Sequence, residues 1–121
     1  LFVERARPAL EALRANVEKL RYQDRAEIIA QDVERWLRSR PAIAPLDLVF
    51  MDPPYGLSNL GEVVELTGKN LTLAPGALLI VQCSSRDELL AKQGLMRRYR
   101  LQIYGETALH FFSSIPKNDM P

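Results

Sequence analysis

The chain has 121 residues, 47% of them hydrophobic and 26% charged, with a formal net charge of +1. That length and composition suit one globular domain with a core of its own, and the charge excludes a polycation held to nucleic acid by bulk electrostatics. A single cysteine, Cys83, excludes an intramolecular disulfide and any cysteine-based metal site. No stretch is long enough to span a membrane and no signal peptide is evident, so a cytoplasmic location is expected.

Leu1 to Glu4 reads as the end of a buried strand. Pro8 suits the first turn of a helix, and Leu10, Leu13, Val17 and Leu20 follow at helical spacing, which predicts a helix from about Pro8 to Arg21. Ala26 to Ala30 is a short strand centred on Ile28 and Ile29. Asp32 suits the cap of a helix running through Trp36 and Leu37 to about Arg38. Pro41 and Pro45 bracket a loop before the apolar strand Leu46 to Met51. Leu60 to Leu71 is helical, Pro75-Gly76 a turn, and Ala77 to Cys83 a buried strand of the parallel type. Arg86 to Lys92 reads as a short helix. Met96 to Tyr104 and Thr107 to Ser113 are strands joined at Gly105 in an antiparallel hairpin, and Pro116 to Pro121 is a frayed tail. Strands alternating with helices and closing on a hairpin predict a three-layer α/β domain with a mostly parallel sheet.

The chemistry concentrates at Asp52-Pro53-Pro54-Tyr55, directly behind the strand that ends at Met51. Open α/β sheets place their active sites at the carboxyl ends of strands. The tetrapeptide resembles the one that methyltransferases acting on exocyclic amino groups of nucleobases carry at that place, and such an amine is a poor nucleophile because its lone pair is delocalised into the ring. To attack a methyl sulfonium it must be held in line, with its N–H groups bonded to acceptors that tolerate developing positive charge. The Asp52 carboxylate offers one acceptor and the Pro53 carbonyl a second. Consecutive prolines fix the backbone and hold the preceding residue extended. Tyr55 can stack on a base face. The plainer reading of these four residues is a strand-ending turn.

Other polar residues carry two readings each. Arg97, Arg98 and Arg100 crowd one stretch and Arg35, Arg38 and Arg40 another; such clusters contact phosphate or form a solvated face. Cys83 ends an apolar strand and reads as a buried free thiol. His110, the one histidine, lies between Leu109 and Phe111 and reads as structural or edge-facing.

The order of these features resembles the bacterial small-subunit (16S) ribosomal RNA guanine-N2 methyltransferases, of the class I S-adenosylmethionine-dependent, Rossmann-like fold. The likeness runs from Leu1-Phe2-Val3-Glu4 through Ile28-Ile29-Ala30-Gln31-Asp32 and Leu46 to Gly56. It continues in Leu73-Ala74-Pro75-Gly76-Ala77 and ends on Tyr104-Gly105-Glu106-Thr107-Ala108-Leu109. The resemblance implies S-adenosylmethionine as cofactor and no metal. It implies that Glu4 takes the cofactor ribose hydroxyls with Arg5 beside it, and that Asp32 and Val33 meet the adenine. It also implies that Asp52, Pro53, Pro54 and Tyr55 receive the base, and that the partner is ribosomal RNA or an assembling small subunit. Family members often carry an Asp two residues after the ribose-binding acid; here that position is Ala6.

The family begins with a strand and glycine-rich turn ahead of the segment matched by Leu1, and none of the six glycines here makes such a loop. The expectation is a portion of a longer protein lacking that strand, which would lie between those ending at Glu4 and Asp52. A DNA adenine or cytosine amino-methylase would use the same tetrapeptide. A truncated fragment that only binds RNA or a partner is the non-enzymatic alternative.

Overall fold

The computed structural model describes residues 1–115. The chain divides into two compact units, Leu1–Ser39 and the part from Arg40 onward.

The first unit is a β-α-β-α run. Strand β1 (Phe2–Glu4) leads into helix α1 (Arg7–Lys19), strand β2 (Ile28–Ala30) and helix α2 (Val33–Arg38). The strands are parallel, with Phe2 opposite Ile28 and Glu4 opposite Ala30. Pro8 lies in the first turn of α1, where its missing N–H costs nothing. The helix ends two residues before the predicted Arg21, which turns into the left-handed region at φ 57°. Strand β2 is likewise shorter than Ala26 to Ala30, although Glu27 still accepts from the Phe2 N–H at 2.8 Å. Asp32 caps α2: its side chain accepts from the Arg35 N–H at 3.0 Å. Trp36 and Leu37 are the buried residues of α2.

The second unit contains strand β3 (Leu46–Met51), helix α3 (Leu60–Asn70), and strands β4 (Leu73–Ser84), β5 (Lys92–Gln93), β6 (Met96–Tyr104) and β7 (Thr107–Ser114). The sheet order is β3-β4-β7-β6-β5. Strands β3 and β4 are parallel, while β4–β7, β7–β6 and β6–β5 are antiparallel. The sheet is thus mixed, with its antiparallel share coming from the hairpin and the short β5. Among the described residues β1 and β3 each have a strand neighbour on one side only.

Alternation along the strands builds one dry face. Leu79, Val81 and Cys83 of β4 meet Ala108 and Phe112 of β7, Met96 of β6, and Leu60 and Val64 of α3 in one cluster. Val49 and Met51 of β3 pack against it, whereas Leu48 and Phe50, pointing the other way, are 59% and 58% exposed.

Two sequence expectations are corrected. Pro75-Gly76 is not a turn between elements but a bulge inside β4. Leu46 pairs with Leu73 and Leu48 with Leu78, so β4 spends five residues where β3 spends two. Gly76 takes φ 77° there, and the strand continues because pairing with β3 resumes beyond it. Residues 86–92 are not helical. Asp87 accepts from the Ser84 N–H at 3.1 Å, and the Ser84 hydroxyl accepts from the Arg86 N–H at 3.2 Å. With the Asp87 N–H donating to the Ser84 carbonyl at 3.0 Å, these bonds close residues 84–87 into a local turn instead of a helix start. Gln93 then accepts from the Leu90 N–H, and the segment ends in β5. The hairpin at Gly105 forms as predicted, with Tyr104 opposite Thr107. The expected tail from Pro116 to Pro121 lies outside the described residues.

Candidate active site

In the first unit the predicted nucleoside-binding residues gather at the carboxyl ends of the two strands. Glu4 ends β1 beside Ala30, the last residue of β2. Its Oε1 accepts from the Ala6 N–H at 3.0 Å, so the carboxylate is aimed along the start of α1 and keeps its second oxygen for another donor. Arg5 and Asp32 form an ion pair at 3.5 Å between side chains 75% and 42% exposed, too solvated to contribute much stability. Asp32 therefore serves as a helix cap and as an anchor for Arg5. Val33, 37% exposed, opens α2 beside it. One face of this cluster offers carboxylate oxygens and the other the N-terminus of a short helix.

In the second unit, Asp52 follows β3 at its carboxyl end. It is exposed and makes no side-chain hydrogen bond or ion pair among the described residues. Pro53 is half-buried and Pro54 exposed, and Gly56 closes the segment at φ 77°. The Tyr55 hydroxyl lies 2.7 Å from the Thr107 hydroxyl, at the first residue of β7. That contact holds the ring while leaving it 52% exposed, which is what a stacking platform requires. The acceptors of Asp52 and Pro53 and the ring of Tyr55 are thus carried on a segment tied at both ends.

The tie makes a prediction. Tyr55→Phe and Thr107→Val should each lower activity by a small factor, about 2–10-fold for one lost hydrogen bond, and the double variant should do no worse than either single one. Additive losses, read from kcat/KM, would show that the two hydroxyls do not act as a pair.

Thr107 was not legible as a site residue, standing 52 positions from Tyr55. A second pairing missed in the sequence is that of Arg98 with His110. The Arg98 guanidinium lies 3.1 Å from His110 Nδ1 and also donates to the Leu89 carbonyl at 3.3 Å. Of the arginine cluster, Arg98 is therefore an internal strut. Arg100 instead lies over the Phe111 ring at 5.3 Å. Arg38 pairs with Glu34 at 2.8 Å. Cys83 is a buried free thiol, and burial, with Asp87 nearby, pushes its pKa up to about 11, so it is inert as a nucleophile at neutral pH. Among the described residues no group of three His, Cys, Asp or Glu side chains is placed to hold a metal ion, and no helix is long and apolar enough to cross a membrane.

His110 is buried, at 4% exposure. Burial lowers its pKa from the ordinary 6.5, Arg98 pushes the same way and Asp87 opposes. The folded state thus prefers the neutral ring, and the unfolded chain binds the extra proton first on acidification. Stability should be full above about pH 6.5 and fall below it, by no more than about 1.4 kcal/mol per pH unit for one proton. Urea unfolding across pH 4.5–7.5 checks this. His110→Gln should flatten that part of the slope, and an unchanged slope would show that another group carries it.

Residues 1–113 match the family described as conserved hypothetical protein 95. The chain belongs to that family. A curated relative, an uncharacterised methylase of Rickettsia prowazekii (strain Madrid E), is 32% identical over 63 residues, which are 52% of this chain and 26% of that protein. The matched segment thus spans about a quarter of the relative's length. Among solved structures, one from Haemophilus influenzae, provisionally described as a methylase, superposes with a TM-score of 0.80 at 23% identity, covering 95% of this chain and 71% of that one. One from Escherichia coli, provisionally described as a methyltransferase, gives 0.77 at 23% identity over 95% and 62%. A conserved hypothetical protein of Streptococcus pyogenes gives 0.79 at 20% identity over 91% and 68%. The chain therefore shares the Rossmann-like α/β fold of these structures.

Proposed function

We propose that the protein transfers a methyl group from S-adenosylmethionine to an exocyclic amine of a nucleobase, most specifically guanine N2 in small-subunit ribosomal RNA. The observation that supports it best is the segment after β3. Asp52, whose carboxylate has no protein partner among the described residues, and Pro53 follow the strand directly and lead into an exposed, hydroxyl-anchored Tyr55. The ring stacks on the base, and the Asp52 carboxylate and Pro53 carbonyl accept the amine's N–H groups, orienting its lone pair and stabilising the positive charge that develops on nitrogen. The family's methylase relative and the methyltransferase fold support the same chemistry.

The cofactor reading rests on the first unit, where the residues fit a nucleoside. The second oxygen of Glu4 can accept from a ribose hydroxyl, and the start of α2 at Val33 presents backbone to a purine. When bound, S-adenosylmethionine supplies an electrophilic methyl on a sulfonium, so the amine needs orientation and no metal.

The test is transfer of label from S-adenosylmethionine to small-subunit RNA, free and assembled into subunits, and to duplex DNA, followed by nucleoside identification. Labelled N2-methylguanosine is the expected product. Methylated duplex DNA with unlabelled RNA would establish a DNA amino-methylase. No transfer to either would leave a fragment that only binds RNA or a partner.

A further inference from the structure

A cleft of about 410 Å³ opens in the second unit between the 85–90 segment and strands β6 and β7. His110 lines it, and its tautomer follows from geometry. A guanidinium has no lone pair to offer, so Arg98 at 3.1 Å must donate and Nδ1 must accept. The proton of the neutral ring is then on Nε2. That N–H is buried and has no hydrogen-bond partner among the described residues, in a side chain only 4% exposed. A buried donor left unpaired is costly, so the cleft favours an occupant that brings an acceptor.

The rest of the lining defines that occupant. Leu90, Leu101 and Ile103 border the cleft, yet are 67%, 40% and 58% exposed, so they form uncovered apolar walls. Asp87 and Glu88 add acceptors, against which Arg98 is the one cation of the lining and is already committed to His110 and Leu89. Two carboxylates against one engaged guanidinium disfavour an anion such as phosphate. What fits is an uncharged flat ring with apolar faces, an acceptor on one edge and a donor on another. Location adds to this. Ser84 pairs with Thr107, the residue holding Tyr55, and the cleft begins at the next residues, Ser85 and Ala108.

We propose that this cleft binds a second, unpaired nucleobase of the RNA substrate, distinct from the base received at Asp52. His110 Nε2–H donates to a ring nitrogen or carbonyl of that base, Asp87 accepts from its amino or imino group, and the aliphatic walls contact its faces. The identification of the occupant rests on the reading of the protein as an RNA methyltransferase, because a nucleotide flanking the target must be accommodated close to Tyr55.

The test is independent of methyl transfer. The ¹⁵N-labelled chain is titrated with guanosine, adenosine, cytidine and uridine while the imidazole nitrogens of His110 are observed by NMR. At least one nucleoside should give a saturable Nε2 shift, retained in Asp52→Ala and lost in Ile103→Trp, where a larger ring at an exposed wall position fills the cleft. Absence of any shift up to the solubility limit would overturn the proposal. So would an equal response to inorganic phosphate or to N-acetylglycinamide, persistence of the shift in Ile103→Trp, or its loss in Asp52→Ala. Methylation of RNA without a nucleoside shift would sink this inference and leave the proposed function standing; a shift without methylation would keep the cleft as a nucleobase site and overturn its assignment to a methylation substrate.

Discussion

Replacing Asp52 by alanine is expected to lower turnover by about 10²–10³-fold, the loss typical of removing one oriented group that stabilises transition-state charge. The carboxylate follows the last residue of β3 and has no protein partner among the described residues, so nothing in the fold depends on it. Stability should change by no more than about 0.5 kcal/mol, as at other exposed positions free of partners. Affinity for S-adenosylhomocysteine should be unaltered, since the proposed nucleoside-binding residues Glu4 and Val33 belong to β1 and α2. Asp52→Asn keeps an acceptor oxygen but drops the charge, and should retain more activity than Asp52→Ala. The measurement is single-turnover methyl transfer to small-subunit RNA, with unfolding and cofactor titration as controls. Unchanged turnover in Asp52→Ala would remove the assigned mechanism. A loss matched by a loss of cofactor affinity would move Asp52 from orienting the amine to holding the cofactor.

Why the place of Asp52 at a strand end was legible and that of Arg98 was not is a matter of which physics is local. A strand delivering Asp-Pro-Pro-Tyr to its carboxyl end is written in consecutive residues, and so is the Asp32 cap, satisfied three residues on at Arg35. The hairpin is equally local, because Gly105 adopts φ 60° between two runs that pair directly. The Tyr55–Thr107 contact depends instead on β7 lying next to β4, which no neighbouring residue dictates. The arginine cluster shows the limit most clearly. Simple alternation would put Arg98 and Arg100 on one face of β6. The register shifts between them, however, with Arg98 opposite Phe112 and Arg100 opposite Phe111. One arginine is thereby sent into the fold toward His110 and the other onto an aromatic ring on the opposite face. The bulge at Pro75-Gly76 is illegible for a related reason: Pro and Gly mark a turn or an irregular strand alike, and only the resumed pairing of β3 with β4 decides between them.

The same alternation sets the largest expected effect on stability. Phe112→Ala should destabilise the chain by about 3–5 kcal/mol, a large share of the roughly 5–15 kcal/mol that holds a typical domain. Phe112 is fully buried on β7, between Leu79 of β4 and the β6 strand, in the cluster that α3 closes with Leu60 and Val64. Its neighbours are strand and helix residues held by their own pairing, so they can collapse only partly into the space an alanine leaves. Phe111, one residue earlier, points to the other face, where it is half-exposed beside Tyr99 and under Arg100. Phe111→Ala forfeits partial burial and one surface cation–π contact, and should cost about 1 kcal/mol. Urea denaturation of the two variants side by side is a direct test of which way β7 faces. Equal losses would mean that the two faces are equally buried. A larger loss at Phe111 would mean that the register of β7 against β4 is shifted by one residue, which would also turn His110 out of its cleft. A dominant loss at Phe112 would place Ala108, His110 and Phe112 together on the α3 side, the arrangement on which the Arg98–His110 strut depends.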